Sequence, residues 1–344
     1  MRKLLIVVAV LLVTHIALLF AGPKGLIGDS SSGLSVGVVF DVGGRGDKSF
    51  NDGAYAGADS AVKFLKPLVR YIEPGEGADR EAAMRLLAAE KMNLIIGVGF
   101  IFTDDINTLA KEYPNTSFAG VDYAVASDAN GNPVLPPPNV AALKFREEEG
   151  SFLVGAVAAM VSKSKKLGFL GGMDIPLIHK FEAGYRAGVK AVCRDCEIVA
   201  AYAGVTPAAF ANPGKGKEIA LSQYDRGVEI IYHVSGATGQ GLFEAARQRK
   251  KLAIGVDADQ YGEAPGYVLT SMLKGINTAT YDVIARKKAG TFTGGVYSYG
   301  LKENGVGYVY DEHNKAMIPD SVRTRVEALR QDIIDGKIKV PSQR

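Results

Sequence analysis

Val38-Val39-Phe40-Asp41-Val42-Gly43-Gly44-Arg45-Gly46-Asp47-Lys48-Ser49-Phe50-Asn51 is the stretch whose reading decides the fold. A β-branched apolar run stops at an aspartate, a glycine-rich loop follows, and a Phe-Asn pair opens an amphipathic helix. This pattern predicts the first β-loop-α unit of a doubly wound parallel sheet, where ligands bind at the carboxyl ends of the strands. The loop has no Gly-x-x-x-x-Gly-Lys-Ser/Thr, and Gly44-Arg45-Gly46 lacks the third glycine of a dinucleotide fingerprint. A phosphate cradle is therefore not expected. The loop offers a carboxylate, an amide and an aromatic ring, a set that suits a neutral, flat, hydrogen-bonding ligand.

The unit recurs. After Leu167-Gly168-Phe169-Leu170-Gly171-Gly172, a short loop leads to Phe181-Glu182-Ala183-Gly184-Tyr185-Arg186-Ala187-Gly188. The first copy reads Phe50-Asn51-Asp52-Gly53-Ala54-Tyr55-Ala56-Gly57. Both are Phe-x-x-Gly-x-x-x-Gly. Glycines four apart share one helix face and are expected to let the helix approach its sheet closely. Each phenylalanine taken alone reads as core. The repetition adds a second reading: two homologous lobes, each offering a ring from the same topological position, could sandwich a planar ligand.

Upstream of the first unit, Met1-Arg2-Lys3 is basic and Leu4 to Phe20 is apolar apart from Thr14 and His15. Residues 1–22 are expected to form a cleaved signal peptide, with an uncleaved anchor as the alternative, and 23–34 a linker. No cysteine lies near this end, so lipidation there is not expected. The protein is expected to be exported, to the periplasm or the outer face of the cytoplasmic membrane. The 40 basic and 37 acidic residues nearly balance, and nothing suggests a nucleic-acid surface. The two cysteines, Cys193 and Cys196, lack the further ligands that zinc needs, which leaves a small structural disulfide or two spare thiols.

From residue 35 onward apolar runs alternate with helical patterns, which predicts right-handed crossovers and parallel sheets. The expected fold class is α/β with two lobes: 35–144 plus about 272–294, and 145–271 plus about 295–344. The polar, proline-rich stretch 122–139 reads as a surface loop between lobes, and 297–310 as a hairpin. In the last helix, Val322, Val326, Leu329 and Ile333 share one face.

Carboxylates close several strands. Asp122 follows Phe118-Ala119-Gly120-Val121, and Asp257 follows Ala253-Ile254-Gly255-Val256. Asp122 reads equally as a turn or cap residue. A carboxylate such as Asp257 can hold a vicinal diol by accepting two hydroxyl hydrogen bonds. The glycine-rich exit at 234–241 suits a ligand packed on bare backbone, and Lys274 could reach a ligand hydroxyl. Catalysis has thin support, because no Gly-x-Ser-x-Gly elbow appears and the histidines have no metal-ligand spacing.

In order along the chain stand Asp41 with Lys48-Ser49-Phe50-Asn51, Phe118 to Asp122, Glu149-Gly150-Ser151-Phe152-Leu153-Val154-Gly155, Gly168 to Met173, Phe181 to Tyr185, Gly239 to Ala246, Gly255-Val256-Asp257-Ala258-Asp259-Gln260 and Thr270-Ser271-Met272-Leu273-Lys274. In these the chain resembles the BMP, or PnrA-like, family of substrate-binding proteins of ABC importers. The resemblance implies a type I periplasmic-binding fold, two doubly wound lobes joined by a three-crossing hinge. It implies no enzyme activity and no cofactor; the partners would be a purine nucleoside (adenosine, guanosine or inosine type) and ABC permease and ATPase subunits. Membrane contact would come only through the transporter or an uncleaved N-terminal segment. In that pattern Phe50 and Phe181 stack on the base, and Asn51, Asp41 and Asp122 read its polar edge. Asp257 and Lys274 hold the ribose, and backbone near Gly236 completes the pocket. The chain departs from the family in having no cysteine after the signal, and in Val234-Ser235-Gly236-Ala237-Thr238 where Ala-Gly-Gly-Thr is commoner. A receptor subunit that presents its ligand to a membrane sensor, and a nucleoside-cleaving hydrolase, are the alternatives.

Overall fold

A computed structural model describes residues 33–74, 79–128, 130 and 132–343. The expected signal segment lies outside the described residues. Residues 34–344 form one compact unit.

Five strands open the first lobe: β1 (Ser35–Val39), β2 (Leu68–Ile72), β3 (Leu94–Val98), β4 (Ser117–Val121) and β5 (Val140–Phe145). Between them run α1 (Phe50–Leu65), α2 (Arg80–Ala89) and α3 (Thr103–Glu112). Five more strands repeat the arrangement: β6 (Lys166–Met173), β7 (Glu197–Gly204), β8 (Ile230–Val234), β9 (Leu252–Asp257) and β10 (Val268–Lys274). Their helices are α4 (Glu147–Val161), which precedes β6, then α5 (Pro176–Val192), α6 (Pro213–Asp225) and α7 (Gly239–Arg249). The chain ends with α8 (Ile276–Lys288), β11 (Gly295–Tyr299), β12 (Val306–Tyr308) and α9 (Asp320–Ile334).

The first sheet has the order β11-β5-β4-β3-β1-β2 and the second β12-β10-β9-β8-β6-β7. Every pairing between these strands is parallel except β10 with β12. β3, β4 and β8 are buried along their whole length, as strands covered by helices on both faces must be. The two halves therefore superimpose in topology: β1 to β5 correspond to β6 to β10.

Three of the sequence readings change. Residues 297–310 are not a hairpin, because β11 pairs in parallel with β5 of the first sheet and β12 pairs antiparallel with β10 of the second. The turn at 303–305 is a crossing between lobes. The stretch 122–139 joins β4 to β5 within one sheet and so does not run between lobes. The repeated glycines bring helix to helix, not helix to sheet. A Cβ on Gly57 would lie 2.3 Å from the Asn277 carbonyl oxygen of α8. One on Gly184 or Gly188 would meet the Glu148 or Phe152 carbonyl of α4 at 2.1 or 1.9 Å.

Those helix pairs explain the hinge. The chain leaves β5 and enters α4, which packs on α5 of the second lobe; it leaves β10 and enters α8, which packs back on α1 of the first. At the crossings, Arg146 N–H donates to the Tyr299 carbonyl (2.9 Å), Gly275 N–H to the Gly305 carbonyl (2.8 Å) and Leu301 N–H to Glu149 Oε2 (2.7 Å). Arg146 Nε donates to Glu149 Oε1 (2.7 Å), and its other arm reaches Glu303. One guanidinium thus ties the first crossing to the third. Away from the hinge, Cys193 and Cys196 form a disulfide just after α5. In α9 the shared face of Val322, Val326, Leu329 and Ile333 is buried.

Candidate ligand-binding site

Asp41, Phe50, Asn51, Asp122, Phe181, Gly236, Asp257 and Lys274 all line one cleft of about 580 Å³, its mouth included. Parallel strands put them there. Asp41 lies just beyond β1 and Asp122 just beyond β4; Asp257 and Lys274 are the last residues of β9 and β10. All sit at carboxyl ends, where a doubly wound sheet leaves a crevice. Asp122 and Asp257 occupy equivalent positions in the two halves, and both adopt a left-handed backbone, φ 59° and 67°. That conformation is uncommon for a residue other than glycine and clusters at functional sites.

Lys274 lines the cleft and is buried. Its Nζ is 2.6 Å from Asp122 Oδ2 and 3.3 Å from Glu147 Oε1. It also lies 5.2 Å from the Phe50 ring centroid, 5.4 Å from that of Phe181 and 4.9 Å from that of Phe145. One ammonium group therefore touches an aromatic ring from each lobe. Burial alone would lower the Lys274 pKa, but Asp122, Glu147 and Asp257 hold it above the ordinary value. Glu147 opens α4 and is itself buried. Burial raises its pKa, yet the Lys180 and Lys274 ammonium groups outweigh that and hold it low.

Asp122 keeps one oxygen in reserve. Oδ2 accepts from Lys274, whereas Oδ1 is buried with no hydrogen-bond partner among the described residues. Asp41 Oδ1 accepts from Val42 N–H at 2.6 Å, and burial pushes its pKa up to about 7 against that bond. A Cβ at position 99 would lie 2.3 Å from Asp41 Oδ2, so Gly99, at φ 121°, makes room for that carboxylate. Asp257 Oδ2 accepts from Ser49 Oγ of the opposite lobe at 2.5 Å. Burial lifts its pKa to about 6, opposed by Lys274 and Ser49. Three carboxylates with raised pKa values, one of them with an unpaired oxygen, face a common space between two phenyl rings. The set can accept hydrogen bonds from hydroxyl and N–H groups of a planar ligand.

Asn51 lines the cleft and also holds the loop beside it. Its Oδ1 accepts from Asp41 N–H (3.0 Å) and its Nδ2 donates to Asp47 Oδ2 (3.0 Å). Asp47 in turn accepts from the N–H groups of Ser49, Asn51 and Asp52 at 2.8–3.1 Å, capping α1. Asn51 therefore fixes the loop that carries Asp41 and keeps one amide hydrogen for a ligand.

The sequence profile described as ABC transporter substrate-binding protein PnrA-like matches residues 34–344. The chain belongs to this family. It is 35% identical over 339 residues to the CD4+ T-cell-stimulating antigen of Listeria monocytogenes, covering 91% of this chain and 90% of that one. Identity is 31% over the whole of both chains to the ABC transporter nucleoside-binding protein BmpA of Lactococcus lactis subsp. cremoris. The crystal structure of an ABC transporter system solute-binding protein from Aeropyrum pernix K1 superimposes with a TM-score of 0.81 at 32% identity, covering 90% of this chain and 94% of that one. The type I periplasmic-binding fold and the substrate-binding role in an ABC transporter are thereby those of the PnrA-like family.

Further wall residues escaped the sequence reading. Phe100 follows β3, and Phe210 and Leu177 come from the second lobe. Phe210 lies against bare backbone, since a Cβ on Gly172 would be 2.2 Å from its ring. The Gly171-Gly172 pair was the available signal. Glu147 was hidden in Glu147-Glu148-Glu149, a run that reads as dipole complement at a helix start. Among the described residues, no group of three or more His, Cys, Asp or Glu could hold a metal ion, and no helix is long and apolar enough to cross a membrane.

Proposed function

We propose that this protein captures a purine nucleoside outside the cytoplasmic membrane and delivers it, chemically unchanged, to an ABC permease and its ATPase. Phe50 and Phe181 would stack on the base. Asp41 and Asp122 would accept from its polar edge, Asp257 and Lys274 would meet the ribose hydroxyls, and backbone at Gly236 would close the wall. The observation that carries the reading is the unpaired Asp122 Oδ1 in a cleft with a phenyl ring from each lobe. A buried acceptor left unpaired is costly, and a ligand N–H or O–H relieves it. The name of the Lactococcus lactis relative supports the same ligand class.

A thermal-shift panel tests the proposal, with purine and pyrimidine nucleosides, free bases, sugars and amino acids. Because the chain has no tryptophan, an external dye or calorimetry reports unfolding. A nucleoside at about 100 times its Kd should stabilise the fold by about 2.7 kcal/mol. A shift confined to another solute class would discard the nucleoside.

A further inference from the structure

We infer that Gln260 is a latch between the lobes, and that Ser235 and His233 orient its side-chain amide toward the opposite lobe. This deepens the binding-protein reading above and rests on it, by naming what holds the lobes shut.

The orientation follows from donor and acceptor arithmetic. Val256 N–H lies 2.8 Å from Gln260 Oε1, and a backbone N–H can only donate, so the amide oxygen must face it. The same oxygen lies 2.9 Å from His233 Nε2, which must therefore carry the ring proton. His233 Nδ1 is left as an acceptor for the Ser235 hydroxyl at 3.2 Å. Burial depresses His233 to about 4, so the ring is neutral and this tautomer persists. With Oε1 committed twice, the Gln260 amide nitrogen turns outward and donates to the Lys48 carbonyl of the first lobe at 2.9 Å.

Both ends of the relay are built. Ser235 lines the ligand cleft. A Cβ on Gly239 would lie 2.0 Å from His233 Cε1, and one on Gly255 would lie 2.7 Å from Gln260 Oε1, so two glycines clear space for the buried side chains. Phe243 meets the imidazole edge-on, 5.3 Å between centroids. On the far side, Lys48 is left-handed at φ 57°, its N–H held by Asp52 Oδ2 at 3.0 Å, and its carbonyl is the acceptor of the Gln260 amide. Two neighbouring cross-lobe bonds differ. Ser49 to Asp257 uses a carboxylate that faces the ligand, and Gln240 to the Gly46 carbonyl is exposed and longer, 3.3 Å. The Gln260 bond is partly buried, and neither of its residues lines the cleft.

Gln260→Glu, studied at a pH where the new carboxyl is ionised, keeps the size of the side chain and both accepted bonds but has no hydrogen to donate to Lys48. Spin labels on Lys111→Cys and Ser222→Cys, one in each lobe, report lobe separation by double electron–electron resonance; the native cysteines are paired. With inosine as the probe, wild type should populate a short-distance state that Gln260→Glu largely loses. The variant's inosine off-rate should rise roughly ten-fold, the scale of one lost hydrogen bond, with the on-rate unchanged. A merely structural residue would change the thermal midpoint without this split. Equal closed fractions and equal off-rates in the two proteins would overturn the latch. If wild type does not respond to inosine or any other nucleoside, the ligand proposal fails, and the ligand-free distances still decide the latch. There, equal closed fractions, or a wild type with no closed population in any condition, overturn it.

Discussion

Lys274 Nζ lies 2.6 Å from Asp122 Oδ2, so the last residue of β10 in one lobe is ion-paired with the exit of β4 in the other. Glu147 at the start of α4 takes the same ammonium at 3.3 Å. The pair fixes one oxygen of Asp122 and leaves the other without a hydrogen-bond partner among the described residues.

Removing the ammonium strands buried Asp122 and leaves Glu147 to Lys180 alone. Lys274→Met should destabilise the protein by about 3–5 kcal/mol, the range for breaking a buried pair from one side. Calorimetric unfolding checks it, and an unchanged Tm would mean that the pair carries no structural weight.

The two rings should part company in stability while agreeing in affinity. Phe50 is half-buried and Phe181 is only 2% exposed. Each alanine variant should lose about 1–3 kcal/mol of nucleoside binding, by analogy with stacked bases. Phe181→Ala should in addition lower stability by roughly 3–5 kcal/mol as a core truncation, whereas Phe50→Ala should lose less. Titration calorimetry and thermal melts on both variants separate the effects; wild-type affinity in either removes that ring from the ligand.

The proposed role of Asp257 is to hold the ribose. Asp257→Ala should erase the preference for a riboside over its free base, because the acceptor for the hydroxyl pair is gone. Comparing inosine with hypoxanthine measures this. Undiminished discrimination would detach Asp257 from the sugar.

Proton linkage supplies another check. Burial raises Asp41 to about 7 and Asp257 to about 6, above the usual aspartate value of about 3.9. The folded, ligand-free protein therefore retains protons that the unfolded chain has released, and these two groups make stability fall as pH rises from about 4 to 7. Ligand donors favour the charged carboxylates. Binding should then release protons and tighten as pH rises through the same window. Titration in two buffers of different ionisation enthalpy near about pH 6.5 counts those protons. Proton uptake would contradict the assignment of these aspartates as acceptors.

The strand exits were legible because, in a parallel sheet, a β-branched run that ends in a carboxylate marks a strand reaching the ligand edge. Asp41, Asp122 and Asp257 were read that way, and all three face the cleft. Phe50 and Phe181 were legible through repetition, although the glycines beside them serve the helix-to-helix contacts of the hinge. Those contacts depend on which helix crosses back, and that lies beyond local pattern. β11 and β12 read as a hairpin because two short strands around Glu303-Asn304-Gly305 look local, whereas each pairs with a distant strand. Asn51 lines the cleft as read, but its bonds to Asp47 and to the Asp41 backbone, which leave one amide hydrogen over, were not legible. The Lys274 environment was also hidden, since Glu147 and Lys180 come near it only through the crossings.

The most direct test of the central claim is a calorimetric titration of guanosine, inosine and adenosine into the wild-type protein, with D-ribose and the free bases as controls. Saturable one-to-one binding of at least one purine nucleoside is predicted, with much weaker binding of the sugar and the bases. No binding by any of the three nucleosides, with a sugar or an amino acid binding instead, would contradict it.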